Sequence, residues 1–346
     1  MDQTLMTRVL VPTLLDDSTR PLLGAQVRSL DGQTMGTTWQ VRWTVQASVA
    51  SVERVHAAVQ AELDLVVDQM STWLPGSDLD RFNHAPADTD HTVPPAMGEV
   101  LQAACWLSHE SGGAFNPAAG ALVNLWGFGP GPRYTDPGFT APSDDAVQRA
   151  LARNDWRALR WDGANRRLHQ PGGLLLDLSA IAKGYAVDRV SRRLSAMGLV
   201  HTLVEVGGEL RGQGLRPDGQ PWWIELESPP VAHGQRPLPT TRVALHGLSV
   251  ATSGDYRRAF THGGVRWPHT IDPRQGRPLA NGLASVSVLH AECLWADAWS
   301  TALTVLGREE GMALAEAHGI AALFVQREPD GQLSETLTPA MQALDA

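Results

Sequence analysis

Two aspartate-centred segments carry the residue types that handle a phosphate and a hard cation. The first is Asp177-Leu178-Ser179-Ala180-Ile181-Ala182-Lys183-Gly184-Tyr185. A short apolar run, Leu174-Leu175-Leu176, reads as a strand that delivers Asp177 to the start of a helix. The N–H groups at a helix start, with the positive end of its dipole, favour an anion such as phosphate. Lys183 adds a positive charge in the first turns. Taken alone, the bland alternative is stronger: Asp177 or Ser179 caps the helix and Lys183 is solvated. The second segment is Ala296-Asp297-Ala298-Trp299-Ser300-Thr301-Ala302. Asp297 and Thr301 are four apart, so on a helix both oxygens share one face. A carboxylate and a hydroxyl suit Mg²⁺, with waters and ligand phosphate completing the octahedron. The bland alternative is a Thr bonded back to a helix carbonyl.

Other segments are weaker singly. Thr252-Ser253-Gly254-Asp255-Tyr256 offers hydroxyls at a glycine turn, as a phosphate pocket or an ordinary hydroxyl turn would. His269-Thr270-Ile271-Asp272-Pro273 places a histidine beside an Asp-Pro turn. It reads as a general acid or base, or as a residue that closes the loop. Gly112-Gly113-Ala114-Phe115-Asn116-Pro117, with Trp126-Gly127-Phe128-Gly129 beyond it, suits a flat ring ligand or a glycine-rich turn over core aromatics. Met35-Gly36-Thr37, and Met70-Ser71-Thr72-Trp73 with Phe82-Asn83, complete the set.

The elements that must position these residues follow from periodicity. Trp39, Val41, Trp43 and Val45 alternate with polar residues as in a half-buried strand. Val52, Val55, Val59, Leu63, Val66 and Met70 recur at helical spacing. Further helices are predicted over about 97–110, from Ala182 to Met197 with Gly198 at the C-cap, and over 293–306 and 308–318. Strands are predicted at 200–206, 222–227, 242–250, 284–290 and 321–326. Strands in runs favour α+β with a largely antiparallel sheet over a doubly wound fold.

Composition bounds the rest. The chain has 346 residues, 43% hydrophobic and 19% charged, which fits a globular protein with a sizeable core. A net charge of -9, with no basic run, argues against nucleic acid as a partner. Cys105 and Cys293 form no CxxC and fit a reducing compartment. No run approaches the roughly 20 apolar residues of a membrane helix. Asp2, Arg8, Pro12, Asp16 and Asp17 break up the N-terminus, and no lipid-bearing cysteine follows. Residues 1–28 therefore read as an N-terminal extension, partly mobile, ahead of one domain over 29–346, and a cytoplasmic location is favoured.

Taken in order, these motifs resemble the ApbE family of FAD:protein FMN transferases. They are Met-Gly-Thr, Met-Ser-Thr-Trp with Phe-Asn, Gly-Ala-Phe-Asn-Pro, Asp-Leu-Ser-Ala-Ile-Ala-Lys-Gly-Tyr, Gly207-Gly208-Glu209, Thr-Ser-Gly-Asp-Tyr, His-Thr-Ile-Asp-Pro and Ala-Asp-Ala-Trp-Ser-Thr. The likeness runs from about Met35 to about Leu306. It implies one α+β domain with FAD bound between two subregions. Met35, Trp73, Ala114, Phe115, Asn116, Asp177, Lys183 and Ile271 would touch FAD. Mg²⁺ at the pyrophosphate would be held by the carbonyl of Ala180 with Asp297 and Thr301. FMN would move to a Thr or Ser hydroxyl of an acceptor protein, such as a redox-complex subunit or a flavin-dependent reductase, with release of AMP. His269 and Asp255 are the candidates for taking the hydroxyl proton. Two departures stand out: some members carry Asp at the positions of Asn116 and Ser300, which leaves one carboxylate fewer near the metal. Members exported to the periplasm often carry a lipoprotein signal, which makes a periplasmic membrane-associated location the alternative. Two other activities compete: an FAD pyrophosphate hydrolase giving FMN and AMP, and an FAD-binding protein without turnover.

Overall fold

A two-residue hairpin starts the main sheet. Gln26–Thr34 pairs antiparallel with Thr37–Val45, and the turn residues Met35 and Gly36 both have positive φ, 49° and 69°. This primed turn matches the twist of the flanking strands, and glycine adopts it without a Cβ penalty. Trp39, Val41 and Trp43 point into the core, as their alternation predicts. The computed structural model describes residues 7–12, 24–45, 51–231, 237–256 and 258–345.

Among the described residues the sheet has eight strands. From one edge they run Gln26–Thr34, Thr37–Val45, Thr202–Val206, Glu209–Gln213, Leu248–Gly254, Leu283–His290, Ala321–Arg327 and Leu333–Leu337. Every neighbouring pair is antiparallel. One face carries Val204, Val206, Ala251, Val286, Val288 and Phe324 against the helices Val52–Met70, Ala182–Ala196 and Cys293–Ala317. The other face carries Leu203, Val250, Leu289 and Leu323 against Leu10, Trp222, Val243 and Leu245 of a small sheet. Burial on both faces explains why Leu283–His290 is apolar with small hydroxyls rather than strictly alternating. The fold is α+β around a large antiparallel sheet.

Several expectations change. Within residues 1–28, Thr7–Leu10 is a strand parallel to Thr240–Leu245, and Leu10 is 1% exposed. Arg8 fixes it through Thr241 and Glu335, so this part is docked; residues 1–6 and 13–23 lie outside the described residues. The single strand expected over 242–250 is two, Thr240–Leu245 and Leu248–Gly254, in different sheets. The turn between them uses Gly247 at φ 66°, one small signal in a long apolar run. The two C-terminal helices expected over 293–306 and 308–318 are both present within Cys293–Ala317 and meet at Gly307, whose φ of 82° is not helical. Residues 174–176 form no strand, because side chains and the Gly120 N–H rather than a neighbouring strand take their backbone groups. Asn83 donates Nδ2–H to the Leu176 carbonyl at 2.9 Å and accepts the Leu176 N–H at 2.8 Å. Buried Gln170 binds Leu174 in the same two-ended way. Among the described residues no helix is long and apolar enough to cross a membrane.

A satellite cluster joins residues 122–151 to 260–276. Leu122, Trp126, Val147 and Ile271 form its buried centre, with Phe128, Phe260 and Trp267 against it. Trp126 Nε1–H donates to the Gly276 carbonyl at 2.8 Å and pins the Ile271 hairpin to the Gly120–Leu125 helix.

Candidate functional site

The helix Ala182–Ala196 begins without a cap from its own sequence. Asp177 Oδ1 instead accepts the Ser179 N–H at 2.8 Å and closes a turn before the helix. The helix start finds an acceptor in another helix: the Gly184 N–H donates to Asp297 Oδ2 at 2.9 Å. Only glycine fits at 184. A Cβ there would lie 2.2 Å from the Cys293 carbonyl oxygen and 2.7 Å from Asp297 Cβ. The segment carrying Ala180 and the helix carrying Asp297 therefore meet, as the paired-motif reading requires. Asp297 is 4% exposed, and burial pushes its carboxyl above the usual carboxylate range, opposed by the Lys183 charge and the Gly184 N–H. One turn on, Thr301 Oγ1 lies 3.2 Å from Ser253 Oγ, which also bonds Ser300 Oγ at 2.8 Å. Ser300 further donates to the Asp297 carbonyl at 2.9 Å. The Thr-Ser-Gly-Asp-Tyr motif thus reaches the same point from the sheet.

Lys183 reaches across to the sheet and forms an ion pair with buried Glu209. Its stem passes Gly207, where an added Cβ would lie 3.4 Å from Lys183 Cδ and 2.8 Å from Thr37 Cγ2. The Gly207 N–H bonds the Thr38 carbonyl at 2.9 Å. The Met-Gly-Thr hairpin end, the Gly-Gly-Glu turn and the lysine are therefore one cluster. Met35 is half-buried against the core at the hairpin tip.

His269 follows the strand Val265–Pro268, and both its backbone N–H and its Nδ1 face the Arg258 carbonyl, at 3.0 and 3.2 Å. The carbonyl can only accept, so Nδ1 carries the hydrogen and Nε2 is left with a lone pair. Burial of the ring pushes its pKa down to about 4; the hydrogen bond to the Arg258 carbonyl and the Asp255 charge oppose the shift, and the Arg258 and Lys183 charges add to it. Asp255 is committed elsewhere: Oδ2 accepts from Arg266 at 3.1 Å and Oδ1 from Arg327 at 2.9 Å. A cavity of about 240 Å³ opens here, lined by Asp255, Pro268, Thr270, Asn281 and Thr304 among others. A larger one, about 510 Å³, lies at Trp106, Trp295, Trp299 and Tyr185 and holds none of the expected site residues.

The remaining residues split. Ala114 and Phe115 are buried, and the Phe115 N–H bonds Ser111 Oγ at 3.0 Å. Asn116 is used by the protein itself: it donates to the Asn154 carbonyl at 2.8 Å and accepts the Ala118 N–H at 2.8 Å. Asn154 in turn donates to the Pro273 carbonyl at 2.5 Å, so the Asn116 loop is tied to the Ile271 turn. Half-buried Asp177, its carboxyl raised by burial, is placed beside the same loop by its N–H bond to the Pro117 carbonyl at 2.8 Å. Trp73 is 52% exposed, an unusual amount for an indole, on a turn whose N–H groups bond Ser71 Oγ. Sequence reading quoted Gly184 and Ser253 only within their motifs and passed over Asp188 and Asn154; the partners of these four lie 23 to 119 positions away. Glycine next to a candidate lysine was the one local hint of close helix contact.

A family model for the ApbE family matches residues 35–324. The chain belongs to the ApbE family. ApbE relatives named FAD:protein FMN transferase include one from Vibrio cholerae serotype O1, 38% identical over 302 residues, covering 87% of this chain and 88% of that protein. Another, from Treponema pallidum, is 32% identical over 330 residues, covering 90% and 88%. Among solved structures, the Pseudomonas stutzeri flavinyl transferase ApbE in its apo form has a TM-score of 0.83 at 41% identity, covering 93% of this chain and 97% of that one. The Vibrio cholerae flavin transferase ApbE has a TM-score of 0.84 at 36% identity, covering 92% and 99%.

The donor set at the ApbE helix pair fits Mg²⁺ on its chemistry. Among the described residues no group of three or more His, Cys, Asp or Glu side chains gathers to hold a metal. The Asp297 carboxylate and the Ser253, Ser300 and Thr301 hydroxyls gathered there are hard oxygens, of the kind an ion takes beside waters and phosphate oxygens. A buried carboxylate with a raised pKa is also costly to ionise without a nearby cation.

Proposed function

We propose that this chain is an Mg²⁺-dependent FAD:protein FMN transferase that moves FMN to a threonine or serine hydroxyl of an acceptor protein and releases AMP. The observation that carries the reading is the contact between Asp297 and Gly184, which unites two sequence-distant ApbE motifs at one point. Ala180, Asp297 and Thr301 would hold the metal. Mg²⁺, when bound, neutralises charge on the pyrophosphate.

The chain's own residues supply the rest. Lys183 gives a positive charge to a phosphate oxygen. Met35, Trp73, Ala114, Phe115, Asn116, Asp177 and Ile271 form the FAD-contacting set, with Asn116 and Asp177 contributing through the turns they hold. The acceptor oxygen bonds to the FMN-side phosphorus, and the bridging P–O bond breaks towards AMP. The hydroxyl proton passes to Nε2 of His269, which is neutral at pH 7. We assign Asp255 to positioning instead, since it anchors the strand before His269 through Arg266. Most of the rate enhancement would come from placement and electrostatics.

The test incubates the protein with FAD, Mg²⁺ and a redox-complex subunit or flavin-dependent reductase that contains a Ser/Thr flavinylation motif. Mass spectrometry should show an acceptor carrying one FMN on a hydroxyl, with one AMP released per acceptor and neither product in EDTA. AMP formed at the same rate with and without acceptor would establish the hydrolase instead. FAD recovered intact in every arm would establish the non-catalytic binder.

A further inference from the structure

The helix that carries Asp297 and Thr301 and the helix that follows the Ala180 turn cap one another. Asp297, in the Cys293–Ala317 helix, accepts the Gly184 N–H near the start of Ala182–Ala196. Asp188, one turn beyond Gly184, returns the contact: Oδ1 accepts the Cys293 N–H at 3.0 Å and Oδ2 the Leu294 N–H at 2.9 Å. Glu292, at the N-cap of that helix, offers no side-chain cap of its own. Two of the orphan donors at the start of the Asp297 helix are therefore satisfied from a different helix. Asp188 is 3% exposed and also ion-paired to Arg211, on the adjoining strand Glu209–Gln213. A buried carboxylate accepting two N–H groups and an arginine is a rigid anchor.

We infer that Asp188 is a positioning residue for metal binding: it fixes the register of the Cys293–Ala317 helix against Ala182–Ala196, and so the distance between Asp297 and the Ala180 turn. The inference rests on the Mg²⁺ reading above. The paired contacts 184–297 and 188–293 run antiparallel, and two contacts one turn apart set both slide and rotation of one helix on the other. With Asp188 gone, the Gly184–Asp297 bond alone permits rotation about itself. Thr301 and Asp297 then lose their common aim.

The test is Asp188→Asn, whose amide keeps one acceptor but presents N–H groups to the other donor and to Arg211. Two quantities are read: amide exchange over 293–297 in metal-free protein, and the Mg²⁺ concentration for half-maximal AMP release. Exchange should quicken and the Mg²⁺ requirement should rise about tenfold, as when the partner behind a metal ligand is lost. kcat at saturating Mg²⁺ should stay within about threefold. A second variant, Cys293→Pro, keeps Asp188 and deletes one donor at the first helical position, where proline is tolerated. It should shift both readouts the same way by less, and it decides the matter if Asp188→Asn does not fold. Faster exchange with an unchanged Mg²⁺ requirement in a folded variant would reduce Asp188 to a structural role and overturn the inference. A wild-type protein indifferent to Mg²⁺ would instead overturn the metal reading, and that result precedes any variant.

Discussion

Gly184→Ala gives a sharp prediction because the structure sets its size. The new methyl would sit 2.2 Å from the Cys293 carbonyl oxygen, where ordinary contact begins near 3.4 Å. The obstacle is backbone, so no rotamer relieves it, and the helices must part by about 1 Å in a close-packed interior. The Gly184 N–H to Asp297 Oδ2 bond, 2.9 Å now, then stretches beyond hydrogen-bonding range. Overpacking costs about 1–3 kcal/mol. Loss of a bond to a buried carboxylate adds about 1.5–3 kcal/mol. Alanine returns about 1 kcal/mol through helix propensity. The predicted net destabilisation is about 3 kcal/mol, which lowers Tm by roughly 4–5 °C in a domain of this size. Differential scanning calorimetry measures it directly. A Gly184→Ala protein with Tm equal to or above wild type would refute the close-contact argument, since propensity would then be the only term acting.

Other outcomes follow from the same geometry. Asp297→Ala should abolish Mg²⁺-dependent AMP release while leaving a folded protein by circular dichroism; full activity at low Mg²⁺ would remove Asp297 from the metal set. For His269 the folded pKa, about 4, lies below the ordinary histidine value of 6.5, so the folded state binds fewer protons between them. The stability from burying a neutral ring is thus present above about pH 6.5 and lost as pH falls towards 4. His269→Gln should flatten that part of a urea-midpoint profile, and an unchanged slope would assign the acid sensitivity elsewhere. Asn83→Ala cuts both bonds to Leu176 and should cost about 2 kcal/mol in urea unfolding. It should also raise KM for FAD, because the Asp177 segment loses its tether; a variant as stable as wild type would contradict this.

Periodicity read the fold well wherever one element had one exposed face. The Val52–Met70 helix and the Thr37–Val45 strand are examples. It failed where both faces are buried or where side chains replace a backbone ladder. The run across Thr240–Leu245 and Leu248–Gly254 is apolar throughout, so only Gly247 marks the change of sheet. Leu174 to Leu176 has the composition of a strand, but Asn83 and Gln170 occupy the hydrogen bonds that a neighbouring strand would use. For the site, motif order pointed to Asp297, Thr301, Lys183 and His269 as candidates. It gave no sign that Asp255 is held by two arginines, because Arg266 and Arg327 approach it from 11 and 72 positions away.

The cross-capped helix pair also bears on how the chain acquires activity. Its two halves stand 113 positions apart, and a strand hairpin that completes the cluster lies far earlier still. No fragment that stops short of Cys293 can assemble the pair, because the second helix begins 111 residues after the first. At the proposed site, flavin and Mg²⁺ would stabilise only what has already closed, by mass action on the finished state. In a refolding time course, recovery of flavin binding should therefore be among the last signals to appear.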